Sequence, residues 1–194
     1  MQAMRGRAKL FILSGPSGSG KTTLYKKLLR RKHLRLKLVK SVSCTTRPRR
    51  SSERPGRDYL FISRQEFLKK QRQGSFLESQ NVFGFLYGTP REQVEALLKS
   101  GKNVLLCIDV KGKKAIKKIY PQAVSIFVLP PSLKELSQRL KGRSTEGAKE
   151  MRHRLLIAKR EIAVSRRDDY RIVNDDLKHA LEKLEGIIIS KTKG

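Results

Sequence analysis

Short apolar runs alternate with amphipathic segments along most of this chain. The apolar runs lie at residues 9–14, 38–43, 103–109, 124–129 and 171–173. Continuous apolar runs bounded by turn residues are typical of parallel strands that are buried on both faces. Amphipathic segments that predict helices lie at residues 21–32, 112–119, 132–142, 146–165 and 177–189. Because strands and helices alternate, the pattern predicts an α/β fold in which helices wrap a parallel sheet.

The middle of the chain, at residues 43–91, interrupts this alternation. Residues 45–58 are rich in Arg, Pro and Ser and predict a loop. Short strands are predicted at residues 59–63, 75–78 and 82–87, the last two of them antiparallel. We therefore expect a small lobe inserted into the parallel core.

Three capping boxes mark predicted helix starts. The first is Ser63 with Glu66, the second lies at residues 89–92, and the third lies at residues 132–135. In such a box the first side chain accepts a hydrogen bond from the amide three residues later, which satisfies an otherwise unpaired donor. The second box also has Pro90 at the predicted first helical position, where the missing N–H costs nothing.

The charge of the chain is strongly positive. Lys and Arg number 45 against 17 Asp and Glu, which gives a net charge of +28. No acidic residue precedes Glu53, whereas the first fifty residues contain 15 Lys and Arg. Such a field attracts nucleotides and nonspecific polyanions such as nucleic acid. A highly charged surface without any such partner is the alternative interpretation.

Two classes of protein are disfavoured by the sequence. No apolar run approaches the ~18 residues of a membrane-spanning helix, and residues 11–13 are too short for the core of a signal peptide. Cys44 and Cys107 are the two cysteines, too few for a disulfide framework. We expect a protein of a reduced, cytoplasmic compartment. The sequence does not indicate an oligomeric state.

A phosphate-binding loop follows the first predicted strand. Residues 15–22 read GPSGSGKT and fit the pattern G-x-x-x-x-G-K-[ST], with a predicted helix after them. Backbone amides of such a loop bind phosphate oxygens, Lys21 reaches the β- and γ-phosphates of ATP, and the Thr22 hydroxyl contacts Mg²⁺. The alternative is a glycine-rich turn that merely precedes a helix. The predicted ATP-binding residues of the loop are Gly15, Pro16, Ser17, Gly18, Ser19, Gly20, Lys21, Thr22 and Thr23.

The chain resembles the guanylate kinase family from residue 9 to about residue 188. After the phosphate loop, six segments carry the resemblance in order, at residues 41–47, 56–59, 76–78, 87–90, 108–112 and 172–177. The resemblance implies a phosphate-loop (P-loop) fold that transfers the γ-phosphoryl group of Mg²⁺-ATP to GMP, and it adds Asn174 to the ATP site. It also implies a single domain over residues 1–194, divided into a nucleotide-binding core at 8–42, 92–136 and 168–190, a GMP-binding lobe at 43–91 and a helical lid at 137–167.

The resemblance places a GMP site in the inserted lobe. Guanine offers two adjacent donors, N1–H and the exocyclic amine, and one carboxylate accepts both, so Glu78 is the residue expected to read the base. Adenine lacks these donors and would leave the carboxylate unpaired. Taken alone, Tyr59 and Tyr87 could be core aromatics, and Arg47 and Arg50 could be ordinary loop charges. The implied GMP-binding residues are Ser43, Arg47, Arg50, Tyr59, Glu78, Tyr87, Thr89 and Asp109.

Three arginines match the family's lid. Arg139, Arg143 and Arg154 are expected to bring positive charge to the transferring phosphoryl group when the lid closes. A basic helix exposed to water is the alternative interpretation of the same residues. Together with Lys21 and Asp109, these arginines are the predicted catalytic residues.

The sequence departs from the family at one position of the site. Members usually carry two acids as D-x-D, whereas this chain has Cys107 before Asp109. Residues two apart on a strand share a face, so the resemblance implies that one carboxylate is missing from the site. This puts the affinity for Mg²⁺ or for GMP in question.

Three other functions compete with phosphoryl transfer to GMP. Scaffold domains of the same fold bind partners without catalysis, but they typically lose the phosphate loop that is complete here. A nucleic-acid-binding role through the basic surface is compatible with catalysis. A small-molecule kinase with another acceptor is disfavoured by the pairing of Glu78 with Ser43.

Overall fold

The computed structural model describes residues 8–35, 37–141 and 148–192. It confirms the α/β prediction, since five parallel strands form one sheet with helices on both faces. Across the sheet the strands are β2 (Leu38–Lys40), β7 (Asn103–Cys107), β1 (Leu10–Ser14), β8 (Val124–Leu129) and β9 (Tyr170–Val173). Because β1 is central, the loop that follows it opens at the carboxyl edge of the sheet, between the ends of β7 and β8.

Alternation along β1 divides the core into two layers. Phe11 and Leu13 pack into one hydrophobic cluster, and Leu10 and Ile12 pack into the other. All four side chains are buried, as expected for a central parallel strand. The first layer is covered by α1 (Lys21–Leu28) and α8 (Leu177–Thr192), and the second by α4 (Arg91–Lys99) and α5 (Val110–Ile119).

The inserted segment forms a second sheet of four short strands. Their order is β4 (Leu60–Phe61), β3 (Cys44–Thr45), β6 (Phe85–Pro90) and β5 (Phe76–Val82). The predicted antiparallel pairing of β5 with β6 is confirmed, whereas β3 and β4 pair in parallel, which the sequence did not indicate. Helix α3 (Arg64–Arg72) covers this sheet through Phe67, whose ring stacks on Phe76 at 4.6 Å between centroids.

The predicted strand over residues 38–43 is too long. In the structure β2 ends at Lys40, and the chain leaves the large sheet for the small one. The Oγ of Ser41 and the amide of Val42 both donate to Oε1 of Gln93 at 2.7 Å. The Ser41 amide still donates to Leu105 of β7 at 3.1 Å, whereas a side chain from α4 satisfies the next amide and fixes the crossing between the sheets.

The predicted helix over residues 21–32 is also divided. Helix α1 ends at Leu28, and a separate turn of helix, α2, spans Lys32–Arg35. Like charges three and four apart disfavour one continuous helix through this basic stretch. The break also lets Leu34 turn inward, where it is buried in the same cluster as Leu28.

Two of the three capping boxes form as predicted. The amides of Glu66 and Glu135 donate to the hydroxyls of Ser63 and Ser132, both at 3.1 Å. The prediction of the second box is wrong. Pro90 is the cap residue of α4 and not its first helical residue, and among the described residues no side chain caps this helix. The Thr89 hydroxyl that was expected to cap this helix donates to a carboxylate of the lobe instead.

Helix α5 starts earlier than the sequence indicated. It begins at Val110, and Asp109 is its cap residue, with a side chain that accepts a bond from the amide of Gly112 at 2.7 Å. Asp109 therefore follows β7 and does not belong to the strand. Its carboxylate is held at the amino end of a helix, where a negative charge is favoured.

Two helices cover the phosphate-loop end of the core. Helix α6 (Leu133–Lys141) and helix α7 (Ala148–Val164) pack together through Leu136, Leu140 and Ala158, and a 3₁₀ turn (Ser165–Arg167) leads to β9. A Cβ at Gly18 would lie 3.0 Å from Leu136, so α6 packs directly on the loop. In the described part of the chain, no helix is long and apolar enough to cross a membrane.

Candidate functional site

The predicted phosphate loop has the backbone conformation that its glycines permit. Gly15, Gly18 and Gly20 have φ values of 140°, 85° and 95°, which L side chains rarely adopt. A Cβ at Gly20 would overlap the amide of Asn174, whose Nδ2 donates to the Ser19 carbonyl at 2.8 Å. The loop conformation therefore depends both on glycine and on a side chain that follows β9.

Lys21 lies over this loop. Its Nζ donates to the carbonyls of Gly15 at 2.5 Å and Pro16 at 2.8 Å. Thr22 and Thr23 lie in the first turn of α1 with exposed side chains, and the first-turn amides of a helix carry partial positive charge. Ammonium, hydroxyl and main-chain N–H donors thus lie together at one helix terminus, an arrangement suited to binding phosphate groups.

A cavity of about 420 Å³ adjoins the loop. It is lined by the loop at Gly18 and Gly20, by Arg139 of α6 and by Asn174. Arg139 donates to Glu135 at 3.1 Å, one turn earlier, and to the Asn174 carbonyl at 3.4 Å. The structure thus brings together the predicted ATP-binding residues and one of the predicted lid arginines.

Glu78 of β5 is a buried carboxyl beside the start of α5. The Thr89 hydroxyl donates to its Oε1 at 2.6 Å, and a Cβ at Gly112 would lie 2.7 Å from its Oε2. Burial raises the pKa of Glu78 to about 7, with a further rise from Asp109, although the bonds from Thr89 act in the opposite direction. The group is therefore a hydrogen-bond acceptor whose charge is sensitive to pH near neutrality.

Arg47 is the centre of a hydrogen-bond network in the same lobe. Its Nη2 donates to both carboxylate oxygens of Glu53, at 2.7 and 2.9 Å, and its Nε donates to the Tyr87 hydroxyl at 3.1 Å. The guanidinium also lies 5.7 Å from the centre of the Tyr59 ring. Three of the predicted GMP-binding residues are thereby in contact, and Glu53 fixes the orientation of the arginine.

The other residues expected in the lobe differ in exposure. Ser43 is buried at the junction with β3, whereas the Arg50 side chain is exposed on the loop. The Arg50 amide donates to Glu53 at 3.0 Å, so its backbone belongs to the same network as Arg47.

The carboxyl end of strand β7 lies within the electrostatic influence of Lys21. Burial raises the pKa of Cys107 and of Asp109, and the charge of Lys21 acts against both shifts. The two residues do not share a strand face, because Asp109 lies beyond the strand. Both nonetheless lie within the electrostatic field of the phosphate loop.

Nearly all of the chain matches one family. The model of the guanylate kinase family matches residues 7–191. This chain belongs to the guanylate kinase family. A guanylate kinase of Thermotoga maritima is 44% identical over 185 residues, which are 95% of this chain and 88% of that protein. One of Hahella chejuensis is 45% identical over 181 residues, 93% of this chain and 86% of its own length.

A crystal structure of the guanylate kinase from Anaplasma phagocytophilum has the same fold. It is 33% identical, with a TM-score of 0.79, and the match covers 99% of this chain and 90% of the crystallised one. The resemblance inferred from the sequence is therefore confirmed for the family and for the fold.

Of the three arginines predicted to belong to a lid, two lie among the described residues of this guanylate kinase family member. Arg139 faces the cavity beside the phosphate loop, as described above. Arg154 of α7 places its guanidinium 4.7 Å from the ring centre of Phe83, at the tip of the hairpin between β5 and β6. Arg143 lies outside the described residues. Helix α7 thus touches the hairpin of the inserted segment through Arg154.

Two acids near the guanylate kinase site were missed by the sequence interpretation. Glu161 of α7 is half-buried, and burial raises its pKa to about 7 against the opposing charge of Lys21. Glu53 orients Arg47, as described above. Glu53 is the first acidic residue in a basic chain and lies six residues after Arg47, which is a signal that could have been used. No local pattern marks Glu161.

Proposed function

We propose that this chain catalyses the Mg²⁺-dependent transfer of the γ-phosphoryl group of ATP to GMP, giving ADP and GDP. The observation that carries the proposal is the buried Glu78 carboxyl, which Thr89 orients in a lobe inserted into an intact phosphate-loop core. A carboxylate matches the two adjacent donors of guanine, and a buried acceptor left unpaired penalises other bases.

The chain's own residues account for binding and charge stabilisation. The loop amides and Lys21 bind the triphosphate, and Arg139 and Asn174 line the cavity that we assign to the rest of ATP. Arg47, Arg50, Tyr59 and Tyr87 bind the acceptor phosphate. The nucleophile is an oxygen of that phosphate, already anionic at neutral pH, so the reaction needs no general base.

The residues present fit a Mg²⁺ ion that arrives with the nucleotide. Among the described residues, no group of three His, Cys, Asp or Glu side chains is placed to hold a metal. The exposed Thr22 hydroxyl and the Asp109 carboxylate are hard oxygen donors of the kind Mg²⁺ prefers, and we assign them to the ion or its bound water. The ion supplies charge neutralisation at the phosphate oxygens.

We also propose the division of labour implied by the family. Residues 8–42, 92–136 and 168–190 bind ATP, residues 43–91 bind GMP, and residues 137–167 form the lid. Closure of the lid brings Arg139 and Arg154 to the transferring group and excludes water, which prevents hydrolysis of ATP.

A coupled assay of ADP release tests this function. The acceptors to compare are GMP, dGMP, AMP, CMP and UMP at equal concentration. We expect GMP to be the best acceptor, and AMP, CMP and UMP to support little turnover. Binding of GMP without ADP release would indicate a non-catalytic interaction module, and preference for another base would remove Glu78 as the residue that selects guanine.

The pH dependence of GMP binding follows from Glu78. A proton on the carboxyl competes with the guanine donors, so GMP affinity falls as pH falls through about 7, the raised pKa of this group. Between pH 8 and pH 6 we expect the Kd for GMP to rise about tenfold. The measurement is calorimetric titration of GMP into wild type and into Glu78→Gln at each pH. The variant has no carboxyl at this position, so its Kd changes only through the smaller effect of protonation of the GMP phosphate. Equal pH profiles in the two proteins would contradict the assignment.

A carboxylate at position 107 is expected to change the metal or GMP dependence. In Cys107→Asp the new carboxyl lies in the field of Lys21 and Lys40, which favour its charge against the opposing effect of burial. We expect the Mg²⁺ or GMP concentration for half-maximal rate to fall about threefold, as for one added charge-assisted bond. Cys107→Asn is the matched control without charge. No change in either dependence would show that Cys107 serves packing alone.

A further inference from the structure

Lys40 is a half-buried cation that no function described above uses. It is the last residue of β2, at the point where the chain passes from the large sheet to the lobe. Its Nζ lies 5.4 Å from the ring centre of Tyr25 and 5.7 Å from that of Tyr59. Burial lowers the pKa of Lys40 more than its neighbours Cys107 and Asp58 raise it, and Lys26 lowers it further.

The ammonium of Lys40 has unused hydrogen-bonding capacity. Among the described residues it has one hydrogen-bond acceptor, the Asp58 carbonyl at 3.1 Å. The Asp58 carboxylate is occupied elsewhere, since Oδ1 pairs with Lys26 at 2.5 Å and Oδ2 accepts the Arg54 amide at 2.9 Å. An ammonium has three N–H donors, and a half-buried one whose neighbouring carboxylate already pairs with another lysine gains from an anion that joins it.

The surroundings of Lys40 indicate which anion this is. Tyr25 lies one helical turn after Lys21 on α1, so it occupies the same side of the helix as the phosphate-loop lysine. The Tyr59 ring lies beside the guanidinium of Arg47, and both residues belong to the proposed acceptor site. The charges of Lys21 and Lys40 both act to lower the pKa of the Cys107 thiol, against the larger effect of burial. Lys40 therefore lies between the residues assigned to the two phosphate-bearing substrates.

We propose that Lys40 binds the phosphate group of the acceptor nucleotide, as a further cation of that site. The inference rests on the proposed function, because it needs a nucleoside monophosphate as acceptor. The two spare N–H donors bind phosphate oxygens, and the rings of Tyr25 and Tyr59 hold the alkyl chain and the charge in place. The Asp58 carboxylate pairs with Lys26, and Asp58 bonds Lys40 only through its main-chain carbonyl, so a phosphate oxygen adds the direct anionic partner that this cation lacks among the described residues.

The comparison of GMP with guanosine separates this role from a purely structural one. Lys40→Met keeps the length of the side chain beside the two rings and removes the charge. We expect its KM for GMP to rise at least about tenfold, the effect of losing a charge-assisted bond to phosphate, with the KM for ATP within about twofold. Inhibition by guanosine, which lacks the phosphate, is expected to be unchanged.

Three further variants complete the test. Lys37→Met removes an exposed charge three residues earlier and is expected to behave as wild type. Lys40→Arg is expected to recover part of the GMP affinity, and Lys40→Gln replaces Lys40→Met if the latter has a lowered Tm. An unchanged KM for GMP, or equal weakening of GMP and guanosine, would overturn the role of Lys40.

Failure of the proposed function is distinguishable from failure of the Lys40 proposal, because it would appear as a wild-type protein that does not phosphorylate GMP. In that case calorimetric binding of GMP and guanosine to wild type and Lys40→Met still decides the role of Lys40. A loss of affinity confined to GMP supports it, and any other pattern contradicts it.

Discussion

Replacing Lys21 by alanine is expected to lower kcat about a thousandfold, with the Kd for GMP within about twofold of wild type. The ammonium is the one loop group with a full positive charge, and the transferring phosphoryl group develops charge on its outer oxygens. Removing it therefore costs most in the transition state. The contacts that we propose for GMP lie in the lobe, at Glu78 and Arg47, and do not involve Lys21.

The measurement is single-turnover ADP formation together with calorimetric GMP binding. Lys27→Ala is the matched control, because this exposed lysine lies on the same helix and its loss changes the net charge equally. Lys21 also donates to two loop carbonyls, so circular dichroism and Tm must confirm that the variant is folded. Turnover near the wild-type rate in a folded Lys21→Ala protein would rule out the proposed role.

Replacing Glu78 by glutamine is expected to reduce the preference for GMP over AMP, measured as the ratio of kcat/KM values, by at least about a hundredfold. The Thr89 hydroxyl donates to Oε1, so the amide oxygen of glutamine takes that position and its NH₂ group faces the base. Two guanine donors would then meet a donor. Adenine presents an acceptor at N1 and gains a partner in the same variant.

The test needs both acceptors at subsaturating concentration. Glu66→Gln is the control, since Glu66 is an exposed acid of the same lobe on α3. Glutamine is nearly isosteric with glutamate, and it removes a buried carboxyl with a raised pKa, so the fold is retained. A GMP to AMP ratio equal to that of wild type would exclude Glu78 as the residue that reads the base.

Local pattern was sufficient to predict the large sheet and most of the helices. The apolar run at residues 124–129 coincides with β8, and Ser63 and Ser132 cap their helices because the cap bond spans only three residues. Local pattern failed where a distant side chain binds a group of the segment. Gln93 of another helix binds the chain where it leaves β2, and Glu78 takes the Thr89 hydroxyl from the predicted cap.

The residues of the candidate site also divide into those that local sequence predicts and those that only the folded chain brings together. The phosphate loop is contiguous in sequence, so its residues could be identified together, and the family resemblance extended this to the lobe. Lys40 and Glu161 could not be found so, because their relevance lies in proximity to Tyr59 and to the charge of Lys21, which chain topology creates. Nothing in the spacing of these two residues distinguishes them from the many other charges of the chain.

The close approach of Gly112 to Glu78 has a consequence for altering the acceptor preference. The first turn of α5 leaves no space for even a methyl group beside the carboxyl, so any larger residue there displaces the group that we propose contacts the base. On that proposal, the choice of nucleobase is controlled partly by a helix that packs on the other sheet and that Asp109 caps. Libraries designed to change the nucleobase need to vary this helix start along with the lobe.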